Sequence, residues 1–112
     1  MRPFTLSRDT FHILVALADR DRHGYSIMQE VRERTAGAVE LSPSTLYSAV
    51  KRLLEAGLIE ELEERPDAAH DDERRRYYRL TRAGRRAAIE EARQLERLLA
   101  DARSSGLVPK RI

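Results

Sequence analysis

The hydrophobic period of this chain changes just after Gly57, and no other feature restricts its possible folds as much. Up to Gly57 the apolar residues recur every three or four positions. Beyond it Leu58, Glu60 and Leu62 alternate with Ile59, Glu61 and Glu63 until Pro66 ends the run. A period of 3.6 belongs to helices and a period of two to strands, so a strand follows a group of helices. The first helix, over roughly 8–19, is read from Leu6, Phe11, Leu14, Val15 and Ala18, with Ser7 as its N-cap. The charged run Asp19-Arg20-Asp21-Arg22-His23 reads as a turn, and His23 beside Gly24 as a packing or capping histidine. Tyr25, Ile27, Met28 and Val31 give a second helix, about 24–34, that ends before Gly37. For the third, Ser42 can cap, Pro43 suits a first helical turn, Leu46, Val50, Leu53 and Leu54 form the inner face, and Gly57 is the stop.

A second strand is read over Arg75 to Leu80, with Arg76, Tyr78 and Leu80 on one face and Arg75, Tyr77 and Arg79 on the other. The two strands make a hairpin with a long tip from Pro66 to Arg74. Thr81 then caps a last helix in which Ala88, Ala92, Leu95, Leu99 and Ala102 are spaced 4-3-4-3, a coiled-coil-like seam that ends near Gly106 and Pro109.

Composition narrows the functional classes. With 112 residues, 41% of them apolar, the chain supports one small core and no separate substrate domain. Charged residues at 36% against 5% aromatics favour solvated helices over an all-β fold. The absence of cysteine excludes disulfides, cysteine nucleophiles and zinc-thiolate sites. The longest apolar stretch, Ile13 to Ala18, falls far short of the ~20 residues a membrane helix needs. The expectation is a soluble, cytoplasmic protein with no membrane partner. His70, Asp71, Asp72 and Glu73 are consecutive and point in different directions, so they read as solvated loop charge and no metal is expected. His12 reads as partly buried structure. With no G-x-G-x-x-G, no P-loop and no clustered nucleophile and base, neither a cofactor nor an enzymatic activity is expected.

The net charge of +2 is too small to argue for nucleic acid, but its distribution is informative. Residues 60–73 hold eight acids and one arginine, and residues 74–86 hold seven arginines and no acid. Local fields therefore outweigh net charge. Arg82, Arg85 and Arg86 read either as a solvated helix start or as a counterweight to the acidic tip.

Three helices, a two-stranded hairpin and a closing helix make a mainly α (α+β) chain: a winged helix-turn-helix with a C-terminal dimerisation helix. In that layout the third helix enters the major groove. Its outer face carries Ser44, Thr45, Ser48, Lys51 and Arg52 with Tyr47 beside them: short hydroxyls for close approach and two cations for phosphates. Tyr78 reads as core, whereas Tyr47 and Tyr77 are assigned to DNA or a partner helix.

The run from Leu41-Ser42-Pro43-Ser44-Thr45-Leu46-Tyr47 through Lys51-Arg52-Leu53 to Gly57-Leu58-Ile59 resembles the recognition-helix signature of the PadR family of bacterial transcriptional regulators. His23-Gly24-Tyr25 resembles the start of that family's second helix, and Tyr77-Tyr78-Arg79-Leu80-Thr81 with Gly84 resembles its wing-to-helix junction. The matches span roughly residues 6–86. Ser44 stands where many relatives carry Gly, Ser48 where Pro is frequent, and the tip is unusually acidic, so wing contacts are assigned to Arg74 and Arg75 at its base. The resemblance implies a homodimeric repressor that binds double-stranded operator DNA and is released by a small aromatic or drug-like effector. Residues 1–81 would be the DNA-binding domain, 82–106 the dimerisation helix and 107–112 a tail. DNA contacts are assigned to Ser42, Ser44, Thr45, Tyr47, Ser48, Lys51, Arg52, Arg74, Arg75 and Tyr77. Dimerisation is assigned to Phe11, Ala88, Ala92, Leu95, Leu99 and Ala102, and effector contacts to Phe11, His12 and Ala92. A protein-interaction adaptor on the same scaffold, its acidic wing turning DNA away, is the alternative.

Overall fold

The computed structural model describes residues 6–62 and 76–109. Its elements are α1 (Arg8–Leu17), β1 (Arg22–His23), α2 (Gly24–Arg34), α3 (Pro43–Glu55), β2 (Ile59–Glu61), β3 (Tyr77–Leu80) and α4 (Arg82–Ser104). The sheet is antiparallel, in the order β1-β3-β2, with Arg22 opposite Tyr78 and Ile59 opposite Leu80. The fold expected from the sequence is present, and the acidic tip and the arginines at positions 74 and 75 lie outside the described residues.

Each helix starts where a side chain can satisfy one of its orphaned N–H groups. Thr10 N–H donates to Ser7 Oγ (3.2 Å), Ser26 N–H to His23 Nδ1 (3.2 Å), Thr45 N–H to Ser42 Oγ (3.1 Å) and Gly84 N–H to Thr81 Oγ1 (3.0 Å). His23 is therefore the capping histidine that the sequence suggested. Three helices end in the same hydrogen-bonding pattern: Gly37 N–H reaches Arg32 O, Leu58 N–H reaches Leu53 O and Leu107 N–H reaches Ala102 O. The left-handed residue of that pattern is glycine in α3 and α4, Gly57 and Gly106, but in α2 it is Ala36, at φ +53°. A Cβ in that conformation is strained. Ala36→Gly is expected to raise stability by about 0.5–1 kcal/mol, seen as a higher melting temperature; an unchanged or lower one contradicts the reading.

The core joins Ile13, Leu14, Ala16 and Leu17 of α1, Ile27 and Val31 of α2, Leu46, Ala49, Val50 and Leu53 of α3, and Leu58, Ile59 and Tyr78 of the wing. Alternation from Leu58 to Leu62 predicts that Leu58 and Ile59 face opposite ways, yet both are buried, because Leu58 lies before β2 in the turn closing α3. The second strand begins at Tyr77, two residues later than expected.

The stretch read as a turn holds a strand and a buried cation. Arg22 of β1 donates from Nε to Ala16 O (2.7 Å) and from Nη1 to Ser26 Oγ (3.3 Å), and its Nη2 lies 3.5 Å from both Asp19 and Glu30. One guanidinium thus ties the end of α1 to α2, and strand pairing ties both to β3. Burying an arginine is tolerable only with such partners.

Candidate nucleic-acid interface

α3 divides into two faces. Leu46, Ala49, Val50 and Leu53 are buried, and Ser44, Thr45, Tyr47, Ser48, Lys51 and Arg52 are all exposed on the opposite side. The expected face is therefore assembled on one rigid helix. Its hydroxyls also have local partners. Ser42 Oγ, the N-cap, donates to Thr45 Oγ1 (3.0 Å), and Arg52 Nη1 donates to Ser48 Oγ (3.4 Å). Ser42 thus fixes the helix start and orients Thr45, while Lys51 extends from an exposed position.

Tyr47 is 50% exposed, and its phenol leans toward Gly24 at the start of α2. Beneath it Tyr78 is 3% exposed; burial raises the Tyr78 phenol above its ordinary pKa, and Glu61 and Tyr47 add to the effect. Tyr78 is thus a neutral core residue, as its strand face suggested. Tyr77, on the other face of β3, sets its ring edge-on to His23 at 5.3 Å between centroids, against the strand opposite it.

The two blocks of opposite charge have a partial structural reason. Hairpin pairing sets acidic β2 beside β3, so Arg79 lies 3.8 Å from Glu60 and Arg76 3.5 Å from Glu61, while Asp21, next to β1 on the other side of β3, lies 3.4 Å from Arg79. These pairs are exposed and individually weak, but they set register and draw positive charge back into the fold. Arg85 donates to Ala18 O (3.0 Å) at the end of α1, a structural role that neither reading of its cluster anticipated.

The first two turns of α4 pack on the core through Ala83, Ala87 and Ala88. Ala88, assigned to a seam between chains, therefore already packs within its own. Further along, Ala92 is exposed, Leu95 is 40% exposed, Leu99 42% and Leu98 64%, while Ala102, Phe11 and His12 are partly buried. No metal-binding group of three or more His, Cys, Asp or Glu occurs among the described residues, nor is any helix there long and apolar enough to cross a membrane.

These elements define a winged helix-turn-helix protein whose third helix presents a free polar face. Its relatives agree. The chain is 39% identical to Transcriptional regulator Rv3488 of Mycobacterium tuberculosis over 98 residues, 88% of this chain and 85% of that protein. A PadR family transcription regulator from hypervirulent Clostridium difficile superposes with a TM-score of 0.72 at 28% identity, covering 91% of this chain and 100% of the other. Bacillus subtilis PadR, solved in complex with operator DNA, shares the fold at 20% identity with a TM-score of 0.65 over 77% of this chain and 47% of its own. A model of the transcriptional regulator PadR-like family matches residues 13–90, and the chain belongs to that family.

Proposed function

We propose that the protein is a homodimeric repressor that binds operator sequences in double-stranded DNA in the cytoplasm. Residues 1–81 form the DNA-binding unit, 82–106 the dimerisation helix and 107–112 a tail. The observation that carries this reading is the exposed face of α3, with six polar or cationic residues opposite four buried apolar ones, in a chain of a transcriptional regulator family. Ser44, Thr45 and Ser48 are short enough to lie close to base edges, and Lys51 and Arg52 grip phosphates. Tyr47 and Tyr77 also contact the DNA, as do Arg74 and Arg75, which lie outside the described residues.

The second chain covers Ala92, Leu95 and Leu99, which a single copy leaves exposed. The two-fold symmetry of helix-turn-helix operators, with half-sites ~34 Å apart, requires such a pair. A small aromatic effector would sit between protomers, walled by Phe11 and His12 and admitted by the small Ala92, because a void of its size, ~300 Å³ or more, inside one small core would remove much of the packing that holds it. By favouring one dimer arrangement it would change the spacing of the two recognition helices and release DNA.

A mobility-shift assay on the region upstream of its own gene tests the proposal. A retarded, competitor-resistant complex supports it, and no shift at any salt concentration supports the adaptor reading, which the eight acids of residues 60–73 favour. Lys51→Ala should weaken binding to operator and unrelated duplexes alike. Because each phosphate contact contributes a slope of ~0.9, the plot of log affinity against log salt should flatten by about one. An unchanged slope removes Lys51 from the phosphate contacts.

A further inference from the structure

Gly24 opens α2, where a glycine needs explaining. Its φ is outside the left-handed region, unlike that of Gly37, Gly57 and Gly106, so its backbone suits any residue. Glycine within a helix also costs stability relative to alanine. Space is the remaining reason. A Cβ at Gly24 would stand 2.5 Å from Tyr47 Oη, 3.0 Å from Tyr47 Cζ and 3.2 Å from Leu46 Cδ2. The phenol of Tyr47 therefore crosses from α3 onto the first turn of α2, where only a residue without a side chain leaves room. Half of Tyr47 remains open to solvent on the face that carries Ser44, Ser48 and Lys51.

We propose that Gly24 is a positioning residue for DNA binding: it is the seat that holds the Tyr47 phenol against α2 and so fixes the tyrosine's orientation on the DNA-facing side of α3. The proposal rests on the DNA-binding function above and adds a role for the glycine of His23-Gly24-Tyr25. It differs from a general packing role in one respect. The closest atom, Tyr47 Oη, is at the far end of a side chain and can swing out, so Gly24→Ala should leave the protein folded with Tyr47 displaced.

The test is a double-mutant cycle, G24A and Y47A, read by fluorescence anisotropy of a labelled duplex from upstream of its own gene, with thermal melts of every variant. G24A should melt cooperatively near the wild-type temperature yet bind about tenfold more weakly, the factor carried by one hydrogen bond to a charged group. In the Y47A background the same change should have no further effect within about twofold. A G24A penalty of equal size with and without Tyr47 overturns the proposal, as does wild-type affinity in G24A. Loss of cooperative melting overturns it too, since the phenol should have yielded before the backbone. Wild-type protein that binds no duplex overturns the DNA-binding function and this role together, an outcome distinct from the others.

Discussion

Leu95→Glu is expected to give a folded monomer that binds operator DNA poorly. The side chain is 40% exposed in a single chain and contributes nothing to the buried core, so a glutamate there stays solvated when the protein is alone. Across a two-fold axis the change occurs twice. Each copy loses the burial of a leucine, about 2 kcal/mol, and places a carboxylate in an apolar seam. Together these amount to about 5 kcal/mol per dimer, a rise of 10³- to 10⁴-fold in the dimer dissociation constant. Sedimentation at micromolar concentration reads the outcome directly, and the melting temperature reports whether the monomer is intact. A variant that stays dimeric places the interface elsewhere than on Leu95 and Leu99.

What the sequence made legible was local. Ser7, Ser42 and Thr81 are recognisable as caps because a cap needs only a short oxygen-bearing side chain three residues before the N–H that it accepts from. The outer face of α3 is readable for a similar reason: helical period assigns faces without reference to the rest of the molecule. Features that depend on distant partners were not legible. A two-residue strand has no period of its own, and Arg22 is buried beside α1 and α2 because β1 pairs with β3, more than fifty residues later in the chain. The seating of Tyr47 on Gly24 likewise joins two helices whose separation no spacing encodes. Ala88 fits the 4-3-4-3 pattern, yet where α4 leaves the core is set by its contact with α1, and Ala88 lies on the near side of that point. In the charge pattern both blocks were visible, but their pairing in the described residues follows from hairpin register.

The largest loss of stability should come from Gly84→Ala, a substitution that helix propensity alone would favour. Gly84 lies in the first turn of α4, and a Cβ there would meet the Leu58 carbonyl oxygen at 1.9 Å and the Leu80 Cδ1 at 2.8 Å. Unlike the contact at Gly24, the obstructing atom belongs to a backbone that cannot swing aside. That carbonyl already accepts from Thr81 N–H (3.1 Å), and Thr81 Oγ1 donates to Gly57 O (2.7 Å) while accepting from Gly84 N–H. Four consecutive parts of the fold meet at this point: the end of α3, the start of β2, the end of β3 and the cap of α4. Relief of the clash requires α4 to move away from β2, which breaks the Thr81 bonds and uncovers Leu58 and Leu80. The expected cost is about 3 kcal/mol or more, at the upper end of overpacking in a core, against which the gain of about 1 kcal/mol in helix propensity is small. Chemical denaturation gives the stability change, and a variant within 1 kcal/mol of wild type would show that α4 is not held on β2 by this close approach. A second consequence concerns coupling between the two ends of the molecule. The same junction ties the start of α4 to the end of α3 through the Thr81 bonds, so if α4 is the dimerisation helix proposed above, a surviving Gly84→Ala population should dimerise through its intact Leu95 and Leu99 yet hold its recognition helices in the wrong relation. Dimers that lose operator affinity but keep their binding to unrelated duplexes are the expected signature, because phosphate contacts tolerate a change of spacing that paired half-sites do not; equal loss on both kinds of DNA would limit the effect to stability.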